Sequence, residues 1–262
     1  MVPLEVGTEV GNWQITNASL QLNDSYQDSL AVSYWDKMTS LLPTDLLEKY
    51  VTSLRLYTDG PQEDLGGLNQ LDASNKYWQL DLDTADFNLY NQDSVFVLDY
   101  THTLIHEFGH LLTLNATQIE PTKDIRQDDT KGYLTSEGYA IQSSYLGKFV
   151  DQFWPADFLL EWDKIDQTKN EDRRAKKLFA FYDEYSSRFV TEYAAENPEE
   201  DIAESWAFFV LAEKPAPHHD GAQKVLFFYQ FDELVSLREQ IRSNIDTLPV
   251  SYLEVYKTEK AF

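Results

Sequence analysis

His106 and His110 stand four residues apart, with Glu107 directly after the first, and no other residues in this 262-residue chain are so well spaced for chemistry. On a helix, positions i and i+4 share a face one turn apart, so both imidazoles can meet a single metal ion. Glu107 sits beside the first ligand, where its carboxylate reaches a water at the metal's open position without binding the metal. His-Glu-x-x-His therefore describes a zinc site with its own general base. Leu104, Ile105, Phe108, Leu111, Leu112 and Leu114 supply the apolar surface that a buried helix needs. Gly109 costs such a helix about 1 kcal/mol relative to Ala, which points to close packing or to room for a substrate.

Two histidines do not complete a catalytic zinc site; a third protein ligand and an open position are required. The chain has no cysteine, so the third donor is nitrogen or oxygen. Residues 197–210 predict a second helix, with Asn197 as N-cap, Pro198 in the first turn and Glu199, Glu200 and Asp201 next in line. Ile202, Ala203, Trp206, Phe209 and Val210 give it an apolar surface. Glu200 and Glu204 are i and i+4, so both carboxylates share a face. One can bind the metal while the other accepts a hydrogen bond from a ligand histidine, which sets the tautomer of that ring.

These two windows carry a family resemblance. His-Glu-x-x-His followed by two glutamates four apart on a later helix resembles the gluzincin zinc metallopeptidases. Tyr193, then Glu200 seven residues on, then Glu204, all after His-Glu-Phe-Gly-His, more narrowly resembles the anthrax lethal factor-like metallopeptidases. The resemblance covers residues 101–114 and 190–211. It implies one catalytic Zn2+ held by His106, His110 and Glu200, with Glu204 hydrogen-bonded to a ligand. It also implies Glu107 as general base and Tyr193 as phenol donor to the developing oxyanion. The implied fold is α+β and zincin-like, with a small mixed or antiparallel sheet, an edge strand above the zinc helix and a mostly helical C-terminal half. In zincins that edge strand pairs with extended substrate, which makes residues 77–83 the candidate strand here and Trp78 and Leu80 candidate substrate contacts. Some zincins bind the oxyanion with a later histidine, a role for which His218 is the candidate. The long interval from His110 to Glu200 separates the chain from thermolysin-like enzymes, and no Gly-x-Met-Glu-Asn motif marks an aminopeptidase.

The expected activity is that of a zinc-dependent metalloendopeptidase acting on a peptide or protein. The alternative is a metal-loaded but catalytically idle zincin-fold module that binds a peptide or protein. A net charge of −24 makes nucleic acid and anionic membranes poor partners. No apolar run approaches the roughly 20 residues of a membrane-spanning helix, so no membrane insertion is expected. Residues 1–6 lack the basic start and apolar core of a signal peptide, and an initiating Met in place of a removed signal fits a bacterial protein that is secreted or on the cell surface.

At 42% hydrophobic and 14% aromatic content, the chain can bury a solid core. One zincin-like catalytic domain over residues 1–262 is expected, with a lobe of helices and sheet at 1–95 and a lobe of zinc-site and other helices at 96–262. Residues 3–25 read as short extended segments and turns. A helix is predicted over 26–42, a short one after Pro43 and Thr44, and strands over 51–57 and 78–83, the first ending in a turn at 59–61. Further helices are predicted over 133–153, 176–189 and 223–244. Residues 161–177, which include Arg173, Arg174, Lys176 and Lys177, read as a solvated face or loop. His102 reads as a helix-start residue near the site, and His218 and His219 as part of an exposed turn.

Overall fold

A computed structural model describes residues 7–60, 65–90, 93–124, 126–128 and 131–245. The start of the chain and part of the turn expected at 59–61 lie outside the described residues. The structure is mixed α+β, and it divides into two compact units, Met1–Ala116 and Thr117–Phe262.

The first unit is built on a five-stranded sheet. Its strands are β1 (Thr8–Thr16), β2 (Ser19–Leu20), β3 (Val51–Thr58), β4 (Gly66–Gln70) and β5 (Trp78–Asp83). They lie in the order β2-β1-β3-β5-β4, with β3 and β5 parallel and the other pairs antiparallel. Side chains alternate along a strand, so register fixes what each face presents. Trp13 stands opposite Leu54, Leu54 opposite Leu80 and Leu80 opposite Leu68, which makes an apolar row across four strands. The neighbouring row, on the other face, sets Asn12 opposite Arg55 and Arg55 opposite Asp81. That face is joined by side-chain bonds: Ser53 Oγ donates to Asn12 Oδ1 (2.7 Å) and Arg55 Nη1 to Asp81 Oδ2 (2.8 Å).

Helices α1 (Asp28–Leu41), α2 (Thr44–Tyr50) and α3 (Ser94–Leu114) complete this unit. Ala31, Tyr34, Trp35, Met38 and Leu41 recur at helical spacing and are the buried residues of α1, which packs on β3. Asp28 ties α1 to the sheet, accepting from Trp13 Nε1 and Ser25 Oγ at 2.8 Å each. The Trp13 bond is the largest influence on this carboxyl and holds it below its usual range. A carboxyl lowered on folding adds stability above its unfolded pKa, and that stability is lost as pH falls through the folded value. Asp28→Asn is therefore expected to be less stable than wild type at pH 7, the difference shrinking at a pH below the usual carboxyl range. Denaturant titrations at the two pH values check this; an equal difference at both would show that the carboxylate charge plays no part.

Two expectations for this unit change. Residues 8–16 form one long strand rather than short pieces, held against β3 along nearly its whole length. Strand β5 is not an edge: β3 and β4 pair with it on its two sides, and β4 occupies the edge.

The second unit holds a small ribbon of β6 (Ile119–Glu120) and β7 (Tyr139–Ala140), then helices α4 (Tyr145–Phe153), α5 (Ala156–Asp166), α6 (Glu171–Tyr185), α7 (Pro198–Leu211), α8 (Asp220–Phe227) and α9 (Asp232–Ser243). Helix α7 is its centre. Every residue from Asp201 to Leu211 is buried, and α4, α8 and α9 all pack on it. Its last six residues, Trp206–Leu211, are all apolar, as suits a helix end inside a protein, while its buried polar groups Asp201, Glu204 and Ser205 lie in the turns before them.

The helix expected over 133–153 is confined to α4. Gly138 has φ 138°, where only glycine is at ease, and a Cβ there would collide with the Glu120 carbonyl oxygen across the ribbon. Residues 161–177 are largely helical and mostly exposed, so they form the solvated face that was expected there rather than the loop. Phe158, Trp162 and Ile165 point α5 inward at helical spacing, and Asn170 caps α6 by accepting from the Arg173 amide at 3.0 Å. Helix α6 starts five residues earlier than expected and ends at Tyr185. The last predicted helix is broken by a 3-10 turn, Phe228–Gln230, between α8 and α9. Among the described residues, no helix is long and apolar enough to cross a membrane.

Candidate metal centre

Helix α3 starts at Asp93, whose side chain caps the Val95 amide at 3.0 Å, and ends at Asn115, whose Nδ2 donates to the Leu111 and Leu112 carbonyls at 2.8 and 3.2 Å. The Asn115 bonds satisfy carbonyls at the buried C-terminal end, while the Asp93 cap lies in an exposed first turn. From Tyr100 to Leu114 every residue is buried. Thr101, Thr103 and Thr113 turn their hydroxyls back onto carbonyls four residues earlier, at 2.6, 3.0 and 2.8 Å. The histidine pair thus sits on a rigid, dry segment.

His106 Nε2 and His110 Nε2 lie 3.0 Å apart, their rings edge-on at 81°. Two nitrogens bound to one tetrahedral zinc ion at about 2.0 Å each would stand about 3.3 Å from one another. The observed separation fits a shared ion. His106, Glu107 and His110 are 5%, 6% and 9% exposed, so the water-exclusion that strengthens a metal's charge is already present. His102 stacks on His106 with ring centroids 6.1 Å apart. It lies two turns inside α3 rather than at the helix start, because the helix begins at Ser94.

In the second unit α7 begins as its residues predict. Asn197 Oδ1 accepts from the Glu200 amide at 2.8 Å, Pro198 occupies the first turn, and three acidic side chains meet the positive end of the helix dipole. Glu199 and Asp201 each bind side chains from other parts of the second unit. Glu199 accepts the Tyr133 hydroxyl at 2.9 Å, and burial pushes its carboxyl up to about 8. Asp201 accepts from Trp154 Nε1 at 2.8 Å and from Lys224 Nζ at 2.5 Å. Glu200 and Glu204 remain as the pair that shares a face at metal-ligand spacing.

Glu204 is 2% exposed and its Oε2 accepts from Thr191 Oγ1 at 2.6 Å. Thr191 also accepts from the Ala194 amide at 3.1 Å, closing the 3-10 turn Tyr193–Ala195. Tyr193 stands in that turn, half exposed at 54%. Thr191 went unnoticed in the sequence, although a threonine three residues before an amide at a turn is a recognisable local signal. The residues able to hold a metal are thus His102, His106 and His110 on α3 and, in the second unit, Glu200 and Glu204 on α7. Asp59, Asp83 and Asp86 also cluster. Asp83 is there as a turn cap, accepting the amides of Asp59, Ala85 and Asp86 at 2.7, 2.6 and 3.0 Å.

Trp78 and Leu80 are 1% and 0% exposed in the apolar face of the sheet, where Trp78 Nε1 donates to the Asn75 carbonyl at 3.1 Å. Those are core positions. His218 is exposed in the stretch before α8, and its neighbour His219 caps that helix, with Nδ1 accepting from the Ala222 amide at 3.1 Å. Compared with known proteins, the chain matches no protein family, no curated protein and no solved structure.

Proposed function

We propose that this protein is a zinc-dependent metalloendopeptidase, with His106, His110 and Glu200 as ligands of one Zn2+ and Glu107 as general base. The observation that carries the reading is the convergence of His106 Nε2 and His110 Nε2 at 3.0 Å on a buried helix, with Glu107 next to the first of them. When bound, zinc supplies a Lewis acid that polarises a carbonyl and brings the pKa of water to about 7. Glu107 takes the proton of the attacking water and returns it to the leaving amine, which needs a carboxylate close to the ligand but not itself a ligand. Glu204, held by Thr191, accepts a hydrogen bond from a ligand histidine and sets its tautomer. Tyr193 donates its phenol to the oxyanion. Its exposure suits a group that meets a substrate arriving from solvent.

The test is cleavage of a diverse peptide library by protein loaded with zinc, by protein stripped with chelator and by protein reloaded, all read by mass spectrometry. Internal cuts that vanish on stripping and return on reloading are the expected outcome. A protein carrying one zinc that cuts nothing would instead be a binding module with an idle centre.

A further inference from the structure

Deep in the second unit lies an ion pair that the proposed chemistry does not use. Lys224 and Asp201 have side chains 1% and 0% exposed, with Nζ 2.5 Å from Oδ2. The same carboxylate oxygen accepts from Trp154 Nε1 at 2.8 Å, and Lys224 Nζ lies 4.2 Å from the centre of the Phe189 ring. Taking both charges out of water is costly, and a well-packed apolar pair in the same space is commonly as stable or more so. Stability therefore does not account for the pair. Directionality does, since a carboxylate with two donors tolerates one orientation where an apolar contact tolerates several.

Both ends of the pair lead to the residues proposed for the metal centre. Asp201 follows Glu200 on α7 and precedes Glu204 by less than one turn. Phe189, the ring under Lys224, is two residues before Thr191, which holds Glu204 and closes the turn carrying Tyr193. Helix α8 bears on this segment in two more places. Arg188 Nε pairs with Asp220 Oδ2 at 3.2 Å, and a Cβ added to Gly221 would stand 2.9 Å from the Phe189 carbonyl oxygen.

We propose that Lys224 and Asp201 are positioning residues, fixing the rotation of α7 against residues 188–195 and so aiming Glu200, Glu204 and Tyr193. The inference rests on the zinc reading of those three side chains. It is tested with Asp201→Asn/Lys224→Met, which removes both charges together, keeps an acceptor for Trp154 and preserves side-chain length. Thermal denaturation, amide hydrogen exchange across residues 188–204 and zinc affinity by chelator competition are measured beside wild type.

The expected result is a melting temperature close to wild type, exchange at least about tenfold faster at 188–196, and zinc affinity lower by about tenfold or more. A folded double variant with wild-type exchange and wild-type affinity overturns the proposal. If the double variant does not fold, Trp154→Phe decides, because it removes one donor to Asp201 and leaves the ion pair. Faster exchange at 188–196 and weaker zinc binding in that variant support positioning, and no change in either overturns it. If wild type itself binds no zinc, the zinc reading fails by that measurement. Exchange at 188–196 then decides by itself whether the pair sets this segment.

Discussion

Glu107→Ala is expected to carry one zinc per chain and to turn over peptide at least about a hundredfold more slowly than wild type. The two effects separate because the ligands and the base are different atoms of one helix. His106 and His110 keep their 3.0 Å convergence on α3 whatever stands at position 107. The lost carboxylate is the group proposed to take and return the proton. Glu107→Gln has nearly the same volume in this buried position and should lose as much, which excludes a packing effect. Metal analysis and steady-state kinetics on both variants check the claim. Full activity in either would place the base elsewhere, and loss of zinc from both would make Glu107 a ligand.

Glu200→Ala is expected to lower zinc affinity by about a hundredfold or more, since two imidazoles alone hold the ion weakly. Glu204→Ala should cost less, roughly ten- to a hundredfold, by freeing the ring that it orients. Glu199→Gln serves as the control on the same turn. Its carboxyl is engaged with Tyr133, so its loss should leave zinc affinity unchanged. Chelator competition on the three variants ranks them directly. If Glu204→Ala loses the metal and Glu200→Ala keeps it, the two glutamates exchange roles. If Glu199→Gln loses it as well, general disruption of the α7 start explains the result better than ligation.

Much of the arrangement is legible without coordinates. The convergence of His106 and His110 follows from the helical repeat, given apolar neighbours that bury residues 100–114 of the helix. The start of α7 follows from Asn197, Pro198 and the acids after them, each of which acts on backbone groups within one turn. Strands β3 and β5 follow from strict alternation, and their observed bounds differ from expectation by one residue or none.

The misses have physical causes as well. Residues 161–177 read equally as a solvated face or a loop because exposed charges dominate them, while the inward set Phe158, Trp162 and Ile165 that marks the helix is short. Residues 133–143 looked helical by composition, but Gly138 and the pairing of β7 with β6 override that preference. Trp78 and Leu80 are substrate contacts only by resemblance to an edge strand, and alternation adds no more than that one face of the strand is solvated. It does not say which face, or whether both neighbouring strands are present.

The amino-acid order alone therefore settles what depends on neighbours within a turn or a strand: two imidazoles on one side of a helix, a carboxylate beside them, and two carboxylates one turn apart. The folded chain settles what depends on partners far along it. Strand β5 lies inside the sheet with β4 outside it, Thr191 reaches Glu204, and Lys224 meets Asp201 twenty-three positions away. Local order is set by short-range sterics and capping, which are properties of the residues themselves. Long-range pairing is set by packing and by the desolvation of polar groups, which have no period and leave no mark in the spacing.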